Sequence, residues 1–208
     1  MGEIKVVNFP FCNFFSLERY LRISKKKFSI LDEYNTLCDE DIAVIPGVGT
    51  FGEGMSFLRK YGLDKQLLSH ALKGGKIIGI CLGMQMLFNT SEECHNEDGL
   101  GLIPGRCKKI PESKEFRVPH IGWNSLEIQS ENIFFSKNLK LSNYLSERDF
   151  YFVHSYYVLP NKEEFIIAKF SHPSGFLSAA VNKNNVIGFQ FHPEKSGKAG
   201  YDLLDEII

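Results

Sequence analysis

The amino-acid sequence predicts an α/β fold in which helices cover both faces of an open, largely parallel but mixed sheet. Two observations lead to this prediction. Short apolar runs rich in β-branched residues alternate with amphipathic stretches, which is the pattern of repeated βαβ units. The 208 residues, 43% of them hydrophobic, suit one sizeable core better than two small ones. We therefore expect one domain over residues 1–208, with any ligand at the carboxyl ends of its strands.

The first three strands are predicted from short apolar runs: Ile4–Val7, Phe28–Leu31 and Ile42–Ile45. Between the first two, Ser16 is a candidate N-cap for a helix that carries Leu17, Tyr20 and Leu21 on one face. A glycine-rich loop, residues 46–52, follows the third strand and precedes a helical stretch. It is not a P-loop, because no Lys-Ser/Thr pair follows its glycines. The loop is expected at the ligand-binding edge of the sheet.

The segment 76–88 predicts a strand over Lys76–Ile80, a sharp turn at Cys81 and the start of a helix over Leu82–Phe88. An amphipathic helix over 63–73 leads into this strand. The frame Gly79-Ile80-Cys81-Leu82-Gly83 is the cysteine form of the nucleophile elbow, in which a Cβ on either side of the bend would clash. The start of the following helix favours a thiolate. A cysteine that merely packs after a strand is the alternative, but the flanking glycines and a second motif downstream favour a nucleophile.

That second motif, GFQFHPEKSG at 188–197, supplies candidate partners for the thiol. A strand predicted over residues 186–191 leads directly into His192. Pro193 biases His192 toward an extended backbone, which would place the side chains of His192 and Glu194 on the same side. A histidine beside a thiol can hold its proton, and a carboxylate can fix the tautomer of that histidine. A surface His-Pro-Glu turn is the alternative.

Backbone amides near Cys81 are candidate donors to an oxyanion. The elbow geometry is expected to leave the Leu82 N–H unbonded within the protein and available to the substrate. Gly47, Val48 and Gly49 lie at the same edge of the predicted sheet and are candidates for the second donor. A plain strand-to-helix turn is the alternative for this loop.

Composition and charge exclude several classes of function. A net charge of −1 gives no basic field for nucleic acid, and the lysines at 25–27 indicate the solvated end of a helix. No apolar run reaches the ~20 residues of a membrane span, so we expect a cytoplasmic protein with no membrane contact. The five cysteines are odd in number and lack metal-ligand spacing. His95 lies among acidic residues without ligand spacing, so neither metal nor cofactor is expected.

Two aromatic segments lie in the second half of the chain. Residues 151–157, YFVHSYY, alternate in the manner of a strand. Trp123 is the only tryptophan and lies in RVPHIGWNS at 117–125. An interface anchor and an ordinary core residue both fit it.

In these motifs the chain resembles the class I, or triad, glutamine amidotransferases, and among them the glutaminase subunits of imidazole glycerol phosphate synthases. The resemblance covers nearly the whole chain. It rests, in order, on PGVGTFGEGM at 46–55, GICLGMQMLF at 79–88, PHIGWN at 119–124, YFVHSY at 151–156 and GFQFHPEKSG at 188–197. The elbow and His-Pro-Glu indicate the class, whereas PHIGWN and the pair Lys195-Ser196 are more particular to the histidine-pathway subunits.

The resemblance implies a Cys-His-Glu triad that hydrolyses glutamine. Cys81 would attack the side-chain amide, His192 would carry the proton to the leaving ammonia, and Glu194 would orient His192. The implied substrate-binding residues are Gln85, His154, Ser155 and Tyr156. The implied interface residues are Asn13, Trp123 and Lys195. The implied partner is a (β/α)8 barrel cyclase that forms a heterodimer with the glutaminase and receives its ammonia for histidine biosynthesis.

The segment from Phe9 to Ser16 departs from the family, whose turn at this point is glycine-rich and ends in Gly-Asn. Cys12 stands in place of the glycine, while Asn13 and Ser16 are kept. Because this turn faces the partner in the family, the departure bears on which partner is served.

Two other functions remain open at this point. One is a paralogue that supplies ammonia to another synthase, such as one amidinating a bacterial surface sugar; the other is a non-catalytic binding module. The intact set of Cys81, His192 and Glu194 disfavours the binding module. An α/β-hydrolase esterase is disfavoured because its acid precedes its histidine in the chain.

Overall fold

The computed structural model describes residues 2–11, 15–112, 117–129 and 139–208. The strands are β1 (Ile4–Val7), β2 (Phe28–Leu31), β3 (Ile42–Ile45), β4 (Lys76–Ile80), β5 (Thr90–Ser91), β6 (Gly105–Lys109), β7 (His120–Ser125), β8 (Glu127–Ile128), β9 (Asp149–His154), β10 (Tyr156–Pro160), β11 (Ile166–His172), β12 (Gly175–Lys183) and β13 (Val186–Phe189). The helices are α1 (Phe15–Ile23), α2 (Phe51–Lys60), α3 (Leu63–Leu72), α4 (Leu82–Met86), α5 (Leu139–Ser146) and α6 (Gly197–Ile207), with 3-10 turns at Glu163–Phe165 and Pro193–Lys195.

The main sheet has eight strands in the order β2-β1-β3-β4-β13-β12-β11-β8. The first five are mutually parallel, and the last three continue the sheet in antiparallel pairings. Two smaller sheets, β10-β6-β5 and β7-β9, complete the described strands. The predicted open, largely parallel but mixed sheet is confirmed. β4 and β13 are neighbours at its centre, so the two sequence motifs that follow them meet at one edge.

Helices pack on both faces of the sheet, as predicted. On β4, Ile78 and Ile80 point into a core cluster that contains Leu17 of α1 and Leu203 of α6. Ile77 points into the opposite cluster, where α2 and α3 contribute their buried leucines. This alternation follows from the period of two along a strand, and it explains why the parallel strands are apolar on both sides.

Three local predictions need correction. Helix α1 begins at Phe15, so Ser16 lies inside its first turn instead of capping it. The strand predicted over 151–157 is two strands, because the chain leaves the β7–β9 sheet at Ser155 and β10 pairs with β6. The strand predicted to end at residue 191 ends at Phe189.

The predicted interface residue Asn13 lies outside the described residues, as do Cys12 and Phe14 of the unusual N-terminal segment. None of the helices in the described ranges is both long and apolar enough to cross a membrane.

Candidate active site

Cys81 lies on the predicted sharp bend between β4 and α4. Its φ of 53° and ψ of −108° are outside the common regions for a residue with a side chain. A Cβ on Gly83 would lie 1.7 Å from the Ile45 carbonyl oxygen, and one on Gly79 would lie 2.6 Å from the Gly83 oxygen. Both flanking glycines are therefore required by close backbone approach, which is the reason the elbow motif predicts.

The Cys81 sulfur has two polar neighbours at the same distance. The thiol lies 3.7 Å from the Val153 carbonyl oxygen, to which it can donate, and the Gln190 side-chain nitrogen donates to the sulfur at 3.7 Å. The residue is buried, and its backbone N–H donates to the Phe189 oxygen at 2.7 Å. The last bond ties the bend to the neighbouring strand β13, which leads to His192.

His192 and Glu194 meet as predicted, although through a different backbone. His192 is extended, with φ of −102° and ψ of 92°, but Pro193 begins a 3-10 turn that contains Glu194. Proline fits the first position of a helical turn because its φ is preset and it has no N–H to satisfy. The turn brings Glu194 Oε1 to 2.7 Å from His192 Nδ1. The expectation of one continuous extended segment is therefore wrong beyond His192.

The electrostatics of His192 favour its protonated form. Burial lowers its pKa, but the Cys81 sulfur and then Glu194 raise it, and the raising interactions prevail. Nδ1 is directed at Glu194, so the proton that can be exchanged is on Nε2. Nε2 is buried, and the Cys81 sulfur stabilises the positive charge of the ring. The arrangement can hold a thiolate and imidazolium side by side.

Ser196 fixes the backbone of His192, a role that no sequence motif had assigned to it. The Ser196 hydroxyl donates to the His192 carbonyl oxygen at 2.7 Å and accepts from the Tyr151 N–H at 3.0 Å. The His192 N–H also donates to the Tyr151 oxygen at 2.9 Å. His192 is thereby bound to strand β9 on both sides of its Cα.

The predicted substrate-binding residues cluster beside Cys81, but much of their polar capacity is used internally. Gln85 is buried one turn after Cys81, and its side-chain nitrogen donates to the Tyr156 oxygen at 3.0 Å and to Gln190 Oε1 at 3.2 Å. Both of its amide hydrogens are therefore engaged within the protein. His154 Nδ1 donates to the same Tyr156 oxygen at 2.8 Å, and burial lowers the pKa of His154 to about 3. Ser155 connects β9 to β10, and its backbone oxygen accepts from the Ile110 N–H at 2.9 Å.

The candidate oxyanion donors differ from the sequence expectation. The Leu82 N–H is not unbonded, because it faces the Gly47 carbonyl oxygen at 3.4 Å. Gly47 approaches closely because it lacks a side chain, since a Cβ there would lie 2.7 Å from the Leu82 Cβ. A carbonyl thus points toward the position where an N–H would be needed. Gly49, with φ of +111°, has a backbone that residues with side chains rarely adopt.

The predicted interface residues Trp123 and Lys195 are both exposed on the surface near this site. Trp123 is 57% exposed, and Ile121, two residues earlier on β7, is 62% exposed. The core alternative for Trp123 is therefore wrong. Its ring contacts Tyr151 of β9 at a centroid distance of 5.8 Å, and Tyr151 is the residue whose backbone holds His192. Tyr151 of β9 therefore links the exposed Trp123 to His192.

Comparison with known proteins agrees with this geometry. The family model of class I glutamine amidotransferases matches residues 13–206. An imidazole glycerol phosphate synthase subunit HisH from Listeria monocytogenes is 38% identical over 97% of this chain and 92% of its own length. The subunit of that name from Synechocystis sp. is 36% identical over 100% of this chain and 96% of its own length.

Solved structures share the fold at lower sequence identity. The structure of PurLQS from Thermotoga maritima superimposes with a TM-score of 0.74 at 18% identity, covering 99% of this chain and 97% of the other. A structure titled glutamine amidotransferase gives a TM-score of 0.69 at 16% identity, with 98% and 96% covered. The structure places a strained cysteine elbow near a histidine and a glutamate, and the family match covers nearly the whole chain, so this protein belongs to the class I glutamine amidotransferases.

Proposed function

We propose that this chain is the glutaminase subunit of an imidazole glycerol phosphate synthase. The observation that carries the proposal is the buried Cys81 on its strained bend, beside a His192 that is held by Glu194 at 2.7 Å. The HisH subunits described above supply the identity of the synthase, at 38% and 36% identity over almost their entire length. They also favour this acceptor over a surface-sugar synthase.

The reaction follows from the charges around Cys81. The thiolate forms a bond to the side-chain carbonyl carbon of glutamine, and the carbonyl electrons move to its oxygen. When this intermediate collapses, the carbon–nitrogen bond breaks and His192 Nε2 gives its proton to the departing ammonia. A water then attacks the thioester with His192 as the base, which releases glutamate and restores the thiol. Glu194 keeps Nδ1 protonated throughout, so Nε2 stays the exchanging nitrogen.

Gln85 and residues 154–156 are proposed to hold the substrate, and the structure favours their backbone and carbonyl groups for this purpose. The amide hydrogens of Gln85 are already bonded to Tyr156 and Gln190. Contacts to the α-amino and carboxyl ends of glutamine are therefore expected from the backbone around Ser155.

The partner is proposed to be a (β/α)8 barrel cyclase that forms a heterodimer with this chain. Free ammonia is largely protonated at neutral pH and then is not a nucleophile, so direct transfer to the acceptor protects it. The exposed Ile121 and Trp123 form an apolar surface of the kind that anchors interfaces, and Lys195 follows Glu194 directly. Asn13 is proposed as a further interface residue on the basis of the family resemblance.

The loop at residues 47–49 is proposed to switch the glutaminase on when the partner binds. Rotation of the peptide between Gly47 and Val48 would turn the Gly47 carbonyl away from the Leu82 N–H and bring the Val48 N–H into its place. A glycine makes this rotation sterically inexpensive. One oxyanion donor is worth ~10²- to 10³-fold in rate, which is enough to keep the isolated chain nearly silent.

We also propose that the protein works in the cytoplasm, where a reducing environment keeps a nucleophilic thiol active. Four of the cysteines, Cys38, Cys81, Cys94 and Cys107, are unpaired.

Complementation tests the synthase assignment. A histidine auxotroph that lacks its own glutaminase subunit should grow without histidine when it carries this chain, and should fail when it carries Cys81→Ser. Growth with the serine variant on low ammonium would refute the assigned nucleophile. Failure of the wild-type chain, expressed together with its own barrel subunit, would refute the assigned pathway.

The switch needs a separate measurement. Glutamine hydrolysis by the purified chain is compared with that of the complex, with and without the barrel's ligand. Equal rates in all three would exclude the switch and leave the triad unaffected.

A further inference from the structure

Gln190 is a fully buried polar residue beside the sulfur, and neither the motifs nor the resemblance assigned it a role. It follows β13 and lies between Phe189 and Phe191, all three with almost no exposed surface. Burying a carboxamide in such surroundings is unfavourable unless both its ends are hydrogen-bonded. Its backbone N–H donates to the Ala179 oxygen at 2.8 Å, so the residue is also fixed at its main chain.

The hydrogen bonds determine which end of the Gln190 amide faces Cys81. The Tyr156 carbonyl can only accept, so the Gln85 atom 3.0 Å from it must be the amide nitrogen. The second hydrogen of that nitrogen is directed at Gln190, 3.2 Å away, and an acceptor is needed there. Gln190 must therefore present its oxygen to Gln85, which leaves its nitrogen 3.7 Å from the Cys81 sulfur. The orientation of the Gln190 amide is therefore fixed by which neighbouring groups can donate and which can only accept.

We propose that Gln190 is a further catalytic residue, which donates a hydrogen bond to the Cys81 sulfur and stabilises the thiolate before it attacks the substrate. The proton leaves the sulfur for His192 Nε2, the negative charge stays on sulfur, and the Gln190 N–H keeps its hydrogen. The Val153 carbonyl, also 3.7 Å from the sulfur, favours the protonated thiol and opposes a thiolate. The Gln190 N–H offsets this carbonyl, because a hydrogen-bond donor beside the sulfur favours the thiolate. In this arrangement Gln85 acts as a positioning residue, because it holds the Gln190 oxygen.

Other titratable groups near the sulfur act at different points of the pH range. His192, the residue before the Pro193–Lys195 turn, acts on the sulfur through its charge, and Glu194 of that turn contacts the opposite ring nitrogen, Nδ1, at 2.7 Å. His154 of β9 is neutral because burial lowers its pKa, and the pKa of His120 on β7 is lowered by burial and then by His172. The carboxamide of Gln190 does not ionise, so its charge does not change with pH. Its contribution is therefore a constant preference for thiolate, which changes the midpoint of the thiol titration and not its shape.

The test follows the rate of Cys81 alkylation by iodoacetamide against pH, resolved by peptide mass spectrometry. Gln190→Met keeps the length of the side chain and removes the donor. The midpoint should move up by about one pH unit, which corresponds to roughly tenfold less thiolate below the midpoint. Glutamine turnover by the complex at neutral pH should lose about the same factor in kcat, with KM little changed. The exposed Cys38 serves as the reference thiol in the same molecule.

Two further variants complete the comparison. Gln190→Glu keeps the shape and the oxygen that accepts from Gln85, but places an oxygen beside the sulfur, so the midpoint should also rise. Gln66→Met on α3 makes the same chemical change away from the site and should leave the midpoint unchanged. A wild-type midpoint in both Gln190 variants would overturn the assignment.

A measurement on the unmodified chain covers the case in which the variants do not fold. In an NMR pH titration, the ¹H and ¹⁵N resonances of the Gln190 side-chain amide should shift with the same midpoint as the Cys81 thiol. The substitution Cys81→Ser should abolish this shift. If these resonances do not shift as the thiol titrates, the inference is overturned. The inference rests on the proposed function, but the two can fail separately. Retained glutamine hydrolysis by Cys81→Ser refutes the nucleophile, whereas unchanged Gln190 variants refute only the hydrogen bond.

Discussion

Replacing Ser196 with alanine should destabilise the protein and slow glutamine hydrolysis together. The hydroxyl is buried and satisfies two backbone groups, the His192 oxygen at 2.7 Å and the Tyr151 N–H at 3.0 Å. Leaving a buried polar group without a partner costs ~1–3 kcal/mol. The Tyr151 N–H would lose this partner, whereas the His192 oxygen still accepts from the Lys195 N–H at 3.0 Å, so the loss in the free energy of unfolding should be about 1–3 kcal/mol. Given a urea m-value of ~2–3 kcal/mol/M, the midpoint should fall by roughly 0.5–1 M.

The effect on rate comes from the position of the His192 ring. After the substitution, His192 keeps its N–H bond to Tyr151, and its carbonyl keeps the bond from the Lys195 N–H at 3.0 Å. The carbonyl loses the Ser196 hydroxyl, which links it to the Tyr151 N–H. Small displacements of a catalytic group lower kcat by as much as ~10²-fold, so we expect a loss of about 10- to 100-fold in kcat with a smaller change in KM.

Urea unfolding and steady-state hydrolysis by the complex measure the two effects. Ser146→Ala is the matched control, because the Ser146 hydroxyl donates to the Asn143 carbonyl at 2.8 Å but lies on the surface. Its stability should stay within about 0.5 kcal/mol of wild type. If Ser196→Ala unfolds at the wild-type urea concentration and keeps full kcat, the idea that this hydroxyl holds the histidine is refuted.

Three further predictions address the triad and the buried histidine. Cys81→Ser should lose glutamine-dependent synthesis by the complex while ammonium-dependent synthesis persists; loss of both would indicate a folding or docking defect. His192→Asn should prevent labelling of Cys81 by a glutamine-analogue alkylator, whereas Glu194→Gln should keep part of it; equal labelling in wild type and His192→Asn would contradict activation by the histidine. His154, whose pKa burial lowers to about 3, stays neutral when folded, while the unfolded chain protonates it below its ordinary value of about 6.5. Stability should therefore fall as pH drops from about 6.5 toward 3, by up to ~1.4 kcal/mol per pH unit, and His154→Leu should flatten this slope in urea titrations. An unchanged slope would show that another group causes it.

The predictable part of the fold depended on local signals. The four strands β1, β2, β3 and β4 have the predicted bounds because each is a short, mainly apolar run ended by turn residues. For β1, β3 and β4, which lie inside the parallel sheet and are buried on both faces, little else is needed. The elbow was predictable for the same reason, since Gly79 and Gly83 sit where a Cβ would collide with backbone. The break at Ser155 was not predictable, because it depends on two strands, β7 and β6, that compete for one alternating segment.

Within the candidate site, the sequence indicated which residues meet but not how their hydrogen bonds are distributed. Gln85 was expected to hold substrate, and only the fold reveals that its nitrogen is occupied by Tyr156 and Gln190. One feature of the sequence pointed to Gln190: it is a polar residue between two phenylalanines in a segment predicted to be buried. A buried amide needs partners on other strands, and those partners are distant in sequence.

The orientation of the peptide between Gly47 and Val48 cannot be predicted from the sequence. This orientation matters for the control of the enzyme, because it decides whether a carbonyl or an N–H faces the oxyanion position. Glycine accepts backbone conformations that other residues rarely adopt, so the same sequence is compatible with a loop that offers an N–H to the oxyanion and with one that offers a carbonyl. In this structure the Gly47 carbonyl faces the Leu82 N–H at 3.4 Å, longer than a strong hydrogen bond. A contact of this length is easily replaced by the oxyanion or by the rotated peptide. The loop has small residues and weak local hydrogen bonds, which is why its conformation cannot be predicted from the sequence. A switch controlled by a partner requires the same two features.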